Sequence, residues 1–147
     1  MKKIFLPPPF FGLSAIIIAA FYFIVPSLNI IPIPFNFIGL LISFGGFVLM
    51  GKTHDLFKKY NTTLAVEEST HLIIEGPFKY SRNPMYCGMF LLLFGVAVCF
   101  GNIISLLLPV IFIAAVGIIY VPEEEEMLES TFGSQYSEYK KTTRRWI

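Results

Sequence analysis

Residues 72–88 read LIIEGPFKYSRNPMYCG, and the chain is organised around this stretch. Gly76-Pro77 forces one turn. Arg82-Asn83-Pro84 forces another, because the residue before a proline avoids the helical region. Pro84 suits the first turn of a helix, and that helix then carries Tyr86, Cys87 and Gly88. Lys79, Arg82, Tyr80 and Tyr86 therefore sit at the mouth of a long apolar segment. On residue chemistry there are two readings. One is a juxtamembrane turn, with Lys79 and Arg82 as cationic anchors and Tyr80 and Tyr86 as an aromatic belt. The other is a loop closing over a helix start, whose free N–H groups can hold a carboxylate or a ring edge.

Outward from this segment the chain is apolar. No charged residue occurs from Ile4 to Gly51 or from Asn83 to Pro122, and one membrane span takes about 20 residues. Pro26-Ser27-Leu28-Asn29, Pro32 and Pro34 divide the first block into spans over Phe10–Val25 and Phe35–Gly51. Gly101-Asn102 divides the second into Met85–Phe100 and Ile103–Val121, with Pro109 inside the last. Pro7-Pro8-Pro9 reads as an extended lead-in. Only 14% of residues are charged, against about 25% in soluble domains. The predicted fold is all-α: a polytopic membrane protein of about four transmembrane helices, a cytoplasmic polar loop over 52–82 and a C-terminal interfacial helix. Residues 1–147 form one integral membrane domain, with 1–51 as the N-terminal pair of spans and 52–147 as the functional core. All 11 Lys and Arg fall at the N-terminus, in the polar loop or in the tail. The positive-inside rule puts that side, and both termini, in the cytoplasm, with a bacterial or archaeal inner membrane as the expected location.

The tail, EEEEMLESTFGSQYSEYKKTTRRWI over 123–147, spaces Leu128, Phe132, Tyr136 and Tyr139 as one helical stripe. Gly133 interrupts it, so a surface-lying helix or two short pieces is expected. Four carboxylates directly follow a span, where basic anchors are usual. They read as a solvated helix start or as groups able to bind ribose hydroxyls or an amine.

Several classes are excluded. No Gly-rich strand-to-helix loop marks a Rossmann or P-loop site. His54 and His71 fit no metal motif. Cys87 and Cys99 are twelve positions apart, about 18 Å along one helix, too far to bridge. A formal net charge of +1 gives no footprint for nucleic acid.

The order of motifs resembles the isoprenylcysteine carboxyl methyltransferase family and its relatives among the phospholipid methyltransferases. The residues that carry the likeness are Leu72-Ile73, Gly76-Pro77-Phe78, Arg82-Asn83-Pro84-Met85-Tyr86-Cys87-Gly88, Glu124-Glu125-Glu126-Met127-Leu128, Phe132-Gly133, Tyr136 and Tyr139. The resemblance covers about 61–147, with order and spacing kept. It implies methyl transfer from S-adenosyl-L-methionine to a lipophilic acceptor, a carboxylate or an amine, at the cytoplasmic face of the membrane. It places Thr70, His71, Leu72, Ile73, Phe78, Asn83, Pro84, Met85, Tyr86 and Glu124 in the cofactor pocket, and Glu125 just behind it. Should the acceptor be an amine, Glu124, Glu125 or His71 are the candidate bases. Tyr120 occupies the position where the prenylcysteine enzymes carry a substrate-holding arginine, so Tyr120 and Glu125 are the catalytic candidates. The chain departs from the family in three further places: Asn83 replaces a histidine, Phe78 a tyrosine, and Thr70 stands where a second histidine is usual. Lipid is the expected partner. Two alternatives remain at this level: an NADPH-binding membrane reductase relative using Lys79, Arg82 and Arg144, and a non-catalytic membrane protein that keeps the fold. The glycines Gly39, Gly45, Gly46 and Gly51 support close helix packing, within one chain or between two.

Overall fold

The apolar blocks fold as helices. A computed structural model describes residues 7–61 and 71–147. The elements are α1 (Pro7–Ile24), α2 (Ile38–Lys59), α3 (Pro84–Phe100), α4 (Ile103–Ala115), a π-helical turn (Val116–Tyr120), α5 (Val121–Phe132) and α6 (Ser134–Thr142). Short 3-10 turns lie at Pro26–Leu28, Phe35–Phe37 and Gly76–Lys79. Among the described residues there is no strand, only an isolated bridge between Asn29 and Asn102.

Three boundaries differ from expectation. The proline run is not an extended lead-in: α1 starts at Pro7, because the first turn of a helix needs no N–H donors and tolerates proline. The second helix does not stop at Gly51 but continues to Lys59, since Lys52 to Lys59 contain no breaker. It therefore runs through the boundary drawn between residues 51 and 52. The tail helix is not separate either. The chain is helical without a break from Ile103 to Phe132, and Gly133, with φ +50°, then ends α5. The tail beyond the apolar segment is thus two short pieces, one of which extends the preceding helix.

Two helices are long and apolar enough to cross a membrane, Phe35–Lys59 and Ile103–Phe132, and two shorter apolar helices accompany them. In the second long helix the apolar part ends at Val121, and Glu123 to Glu126 lie beyond it. Outward-facing side chains such as Ile16, Phe23, Leu41, Phe44, Leu107 and Ile118 are exposed. Such a surface suits lipid.

Between α2 and α3 the contact is backbone to backbone. Gly39 and Gly46 lie seven residues apart on α2, opposite Gly95 and Gly88 on α3. A Cβ at Gly46 would stand 2.6 Å from the Gly88 carbonyl oxygen, and one at Gly39 would collide with that of Gly95. The Ser43 hydroxyl donates to the Leu92 carbonyl at 3.2 Å in the same seam. These glycines therefore pack within one chain. Gly45 and Gly51 face open space.

The far ends of the helices are pinned by Asn102. Gly101 ends α3 in the left-handed region (φ +69°). Asn102, fully buried, caps α4 by accepting from the Ile104 N–H at 3.0 Å. Its amide nitrogen reaches the Val25 carbonyl at 3.0 Å and the Asn29 Oδ1 at 2.9 Å. The Ile30 N–H donates to the Gly101 carbonyl at 2.9 Å. Both helix-joining turns thus meet at one end of the bundle, and every charged residue among those described lies toward the other. The core joins Ile18 of α1 to Met85, Met89, Leu93 and Ala97 of α3, and to Phe112, Val116 and Val121 of the last helix.

The glycine seam makes a sharp stability prediction. Gly46→Ala forces a Cβ against backbone that cannot give way, an overpacking cost of about 2 kcal/mol. Gly45→Ala, its neighbour facing open space, gains helix propensity and loses no contact. Denaturant unfolding in detergent micelles should show a large loss for the first and none for the second.

Candidate functional site

The loop before α3 is held by its own side chains. Gly76 sits at φ +58°, where a side chain is strained, and opens the 3-10 turn. Ser81 accepts a hydrogen bond from the Asn83 N–H at 3.1 Å. Asn83 then takes the N-cap position, with φ −126°, and Pro84 follows at the first helical position. The local chemistry of Arg82-Asn83-Pro84 thus produces the helix start that its sequence dictates.

That start meets the glutamate run. The Tyr86 hydroxyl donates to Glu124 Oε1 at 2.5 Å. Beside it, Glu125 accepts from both Arg82 Nη2 at 2.9 Å and Arg145 Nη2 at 2.6 Å, with Arg145 Nε at 3.2 Å. Charge-assisted, forked pairs of this kind are the stronger class of hydrogen bond. Arg82 and Glu125 are largely buried, with 12% and 15% of their side-chain surface exposed. The two glutamates are adjacent in sequence, yet one is engaged by a neutral phenol and the other by two guanidiniums.

Their electrostatics differ accordingly. Burial pushes the Glu124 carboxyl up to about 7; the Tyr86 hydrogen bond opposes the rise and the neighbouring Glu125 charge adds to it. The Glu125 carboxylate holds the Arg145 guanidinium above its usual value. Burial raises the Tyr136 phenol to about 12, with Glu125 adding to it, and burial raises Tyr139 as well. Tyr139 donates to the Phe78 carbonyl at 2.6 Å, which ties α6 to the loop. The Tyr136 hydroxyl and Arg82 Nε are buried with no partner among the described residues.

The structure brings together Asn83, Pro84, Met85, Tyr86, Glu124 and Glu125, with Tyr120 packed against the same core. The other candidates stand apart from this cluster. Ile73 is buried, whereas Leu72 is half-buried and Ile74 exposed, the alternation of an extended segment. Leu72 lines a groove of about 500 Å³ with Lys79, Tyr139 and Thr143. Phe78 packs edge-on against Phe57, with ring centroids 5.8 Å apart. His71 is exposed and stacks on Tyr60 at 5.5 Å. Thr70 lies outside the described residues. Cys87 and Cys99 are both unpaired on α3; Cys87 contacts Ser81 at 3.6 Å. No cluster of three metal-ligating side chains occurs among the described residues.

Two contributors escape motif reading, Ser81 and Trp146, and a third, Arg145, matches a terminal arginine of the family but acts partly through its main chain. The Asn83 amide donates to the Arg145 carbonyl at 3.0 Å, and the Ser81 hydroxyl to the same atom at 3.3 Å. A backbone carbonyl leaves no trace in residue type. The Arg145 side chain did leave one, because a run of four glutamates needs cations, and the tail supplies them.

The arrangement can hold a ligand that offers a cation and hydroxyls on one side and apolar surface on the other. Only one hydrogen bond reaches the Glu124 carboxylate among the described residues, so this buried acid keeps an oxygen for a ligand. The sequence profile of the phospholipid methyltransferase family matches residues 35–135. An uncharacterized protein of Haemophilus influenzae is 36% identical over 63 residues, which is 43% of this chain and the whole of that protein.

Removing the carboxylate that joins the two arginines should be costly. Glu125→Ala leaves Arg82 largely buried without a counter-ion, a loss on the order of 3 kcal/mol. Lys141→Ala, which breaks the exposed pair with Glu138, should leave the unfolding midpoint in place. Parallel denaturant titrations in detergent compare the two.

Proposed function

Because this chain belongs to the phospholipid methyltransferase family, a family of membrane methyltransferases, we propose that it transfers the methyl group of S-adenosyl-L-methionine to a lipophilic acceptor at the cytoplasmic face of a membrane. The observation that carries this reading is the Tyr86–Glu124 hydrogen bond. It joins the helix start after Arg82-Asn83-Pro84 to the glutamate run, two motifs 38 residues apart.

The residues suit the proposed cofactor. Glu124 offers a buried carboxylate to an amine, a sulfonium or ribose hydroxyls. Asn83 keeps its amide oxygen, since only its nitrogen is engaged. Met85 and Tyr86 give apolar surface for a ring. A sulfonium brings its own driving force for an in-line displacement, so this chain has to align the reactants and exclude water. Glu125 is assigned to holding Arg82 and Arg145 rather than to moving a proton, because both of its oxygens are engaged. Tyr120 sets the acceptor side. The basic side chains beside the glutamates are bound to Glu125, which favours an acceptor that needs no carboxylate anchor, such as an amine or a thiol.

The topology follows from the same features. Four spans put the two uncharged turns, joined through Asn29, Gly101 and Asn102, on the outer side. They put the site, the polar loop and both termini in the cytoplasm. The polar cofactor enters from water and the acceptor from lipid. A nicotinamide cofactor is the weaker fit, because Arg82, needed for its phosphate, already pairs with Glu125.

Calorimetric titration of the detergent-purified protein with S-adenosylhomocysteine, with NADPH as the comparison ligand, tests the assignment. Micromolar binding of the first alone is expected; binding of neither by folded protein points to a non-catalytic relative. Glu124→Ala should lose that binding. The pH dependence has a defined sign. Below about 7 the Glu124 carboxyl is protonated and neutral, and above it is an anion. Affinity for a ligand that carries an ammonium group should therefore rise from pH 6 to pH 8, and Glu124→Gln should flatten the profile.

A further inference from the structure

The segment from Thr143 to Ile147 leaves α6 and crosses both ends of the site. At the loop, the Arg82 N–H donates to the Arg144 carbonyl at 2.9 Å, and the Arg145 carbonyl accepts from Asn83 and Ser81. The Arg145 guanidinium closes the pair to Glu125 on α5. One residue further on, Trp146 reaches the π-helical turn. Its ring lies over Gly117, where an added Cβ would stand 3.0 Å from Cζ2. Trp146 and Tyr120 pack against the same buried core, and Tyr120 is the last residue of that turn.

Resting on the methyltransferase reading, we infer that Arg145 and Trp146 are positioning residues for the transfer, forming a clasp that fixes the cofactor end through Asn83 and Glu125 and the acceptor end through Gly117. Neither side chain needs to touch a reacting atom. Arg145 holds Asn83 by a main-chain atom and Glu125 by a forked side chain, so the N-cap of α3 and the second glutamate are set by one residue. Trp146 fills the space that a glycine leaves in the turn presenting Tyr120. Because the two residues are adjacent in the chain, movement of one end of the site is passed to the other over a single peptide link.

Trp146 is the one tryptophan in the sequence, so its fluorescence reports the clasp directly. Titration of the full chain in detergent with S-adenosylhomocysteine should give a saturable change in emission, with a midpoint equal to the calorimetric Kd. Arg145→Ala should move both midpoints up by about tenfold, the effect of losing a contact worth about 1.4 kcal/mol. Arg145→Lys, which keeps the charge but not the fork, should fall between. Gly117→Ala should raise the calorimetric Kd less than Arg145→Ala does, while lowering transfer of labelled methyl into a total lipid extract about tenfold. That loss again corresponds to one contact of that size. Calorimetric binding without any change in emission overturns the clasp and leaves the methyltransferase reading standing. So does an unshifted midpoint in Arg145→Lys, which retains a cation for Glu125 and so guards against misfolding of the alanine variant. Full transfer by Gly117→Ala overturns the acceptor half. Absence of calorimetric binding to the wild-type protein overturns the clasp and the methyltransferase reading together.

Discussion

Everything polar in this fold depends on two helices touching through their backbones. Lipid gives helices no hydrophobic reason to associate, so close van der Waals contact has to supply it. Gly39 against Gly95 and Gly46 against Gly88 provide that contact. The seam fixes α3 beside α2 and thereby fixes where Pro84 to Tyr86 emerge. Larger residues at those four positions would part the helices and carry the N-cap of α3 away from the glutamate run.

The opposite constraint governs the ends. Where water is scarce, each backbone group and amide needs a partner inside the protein. Asn102 answers this at the uncharged end with contacts to Val25, Asn29 and Ile104. At the charged end, Ser81, Asn83 and the carbonyls of Arg144 and Arg145 do the same for the loop. Two neighbouring glutamates there acquire different characters from their surroundings. Glu125 is engaged by two arginines, whereas burial raises Glu124, facing a phenol, to about 7.

Much of this was legible in the sequence, and the exceptions have physical reasons. Gly101-Asn102 and Arg82-Asn83-Pro84 announced a stop and a start because their side chains or rings constrain the backbone locally. The stripe of Leu128, Phe132, Tyr136 and Tyr139 announced which face of the tail is buried, and Tyr136 and Tyr139 are buried. The proline run misled because proline both breaks helices and begins them, and only the packing of Phe10 and Phe11 on Phe112 distinguishes the two. The continuity of α4 into α5 was hidden because Pro122 and a change from apolar to acidic composition together look like a boundary, although the helix runs on through both. The family resemblance implied that Glu124 and Tyr86 share a pocket, but not that they hydrogen-bond to each other. Nor did it imply the partition of the two glutamates between phenol and guanidinium, since that depends on helix phase.

That phase is set by the π-helical turn from Val116 to Tyr120, where the Val121 N–H reaches back to the Val116 carbonyl. A π-turn carries one residue more than the α-helical turn it replaces, and each residue of an α-helix advances about 100°. Loss of one residue there would keep composition, hydropathy and helix content almost unchanged, yet would rotate Glu124 and Glu125 away from Tyr86 and Arg82 together. In this chain the length of this short stretch therefore matters to the site as much as the identity of the glutamates themselves. An alignment that closes or opens a gap there would pair the acids with the wrong neighbours.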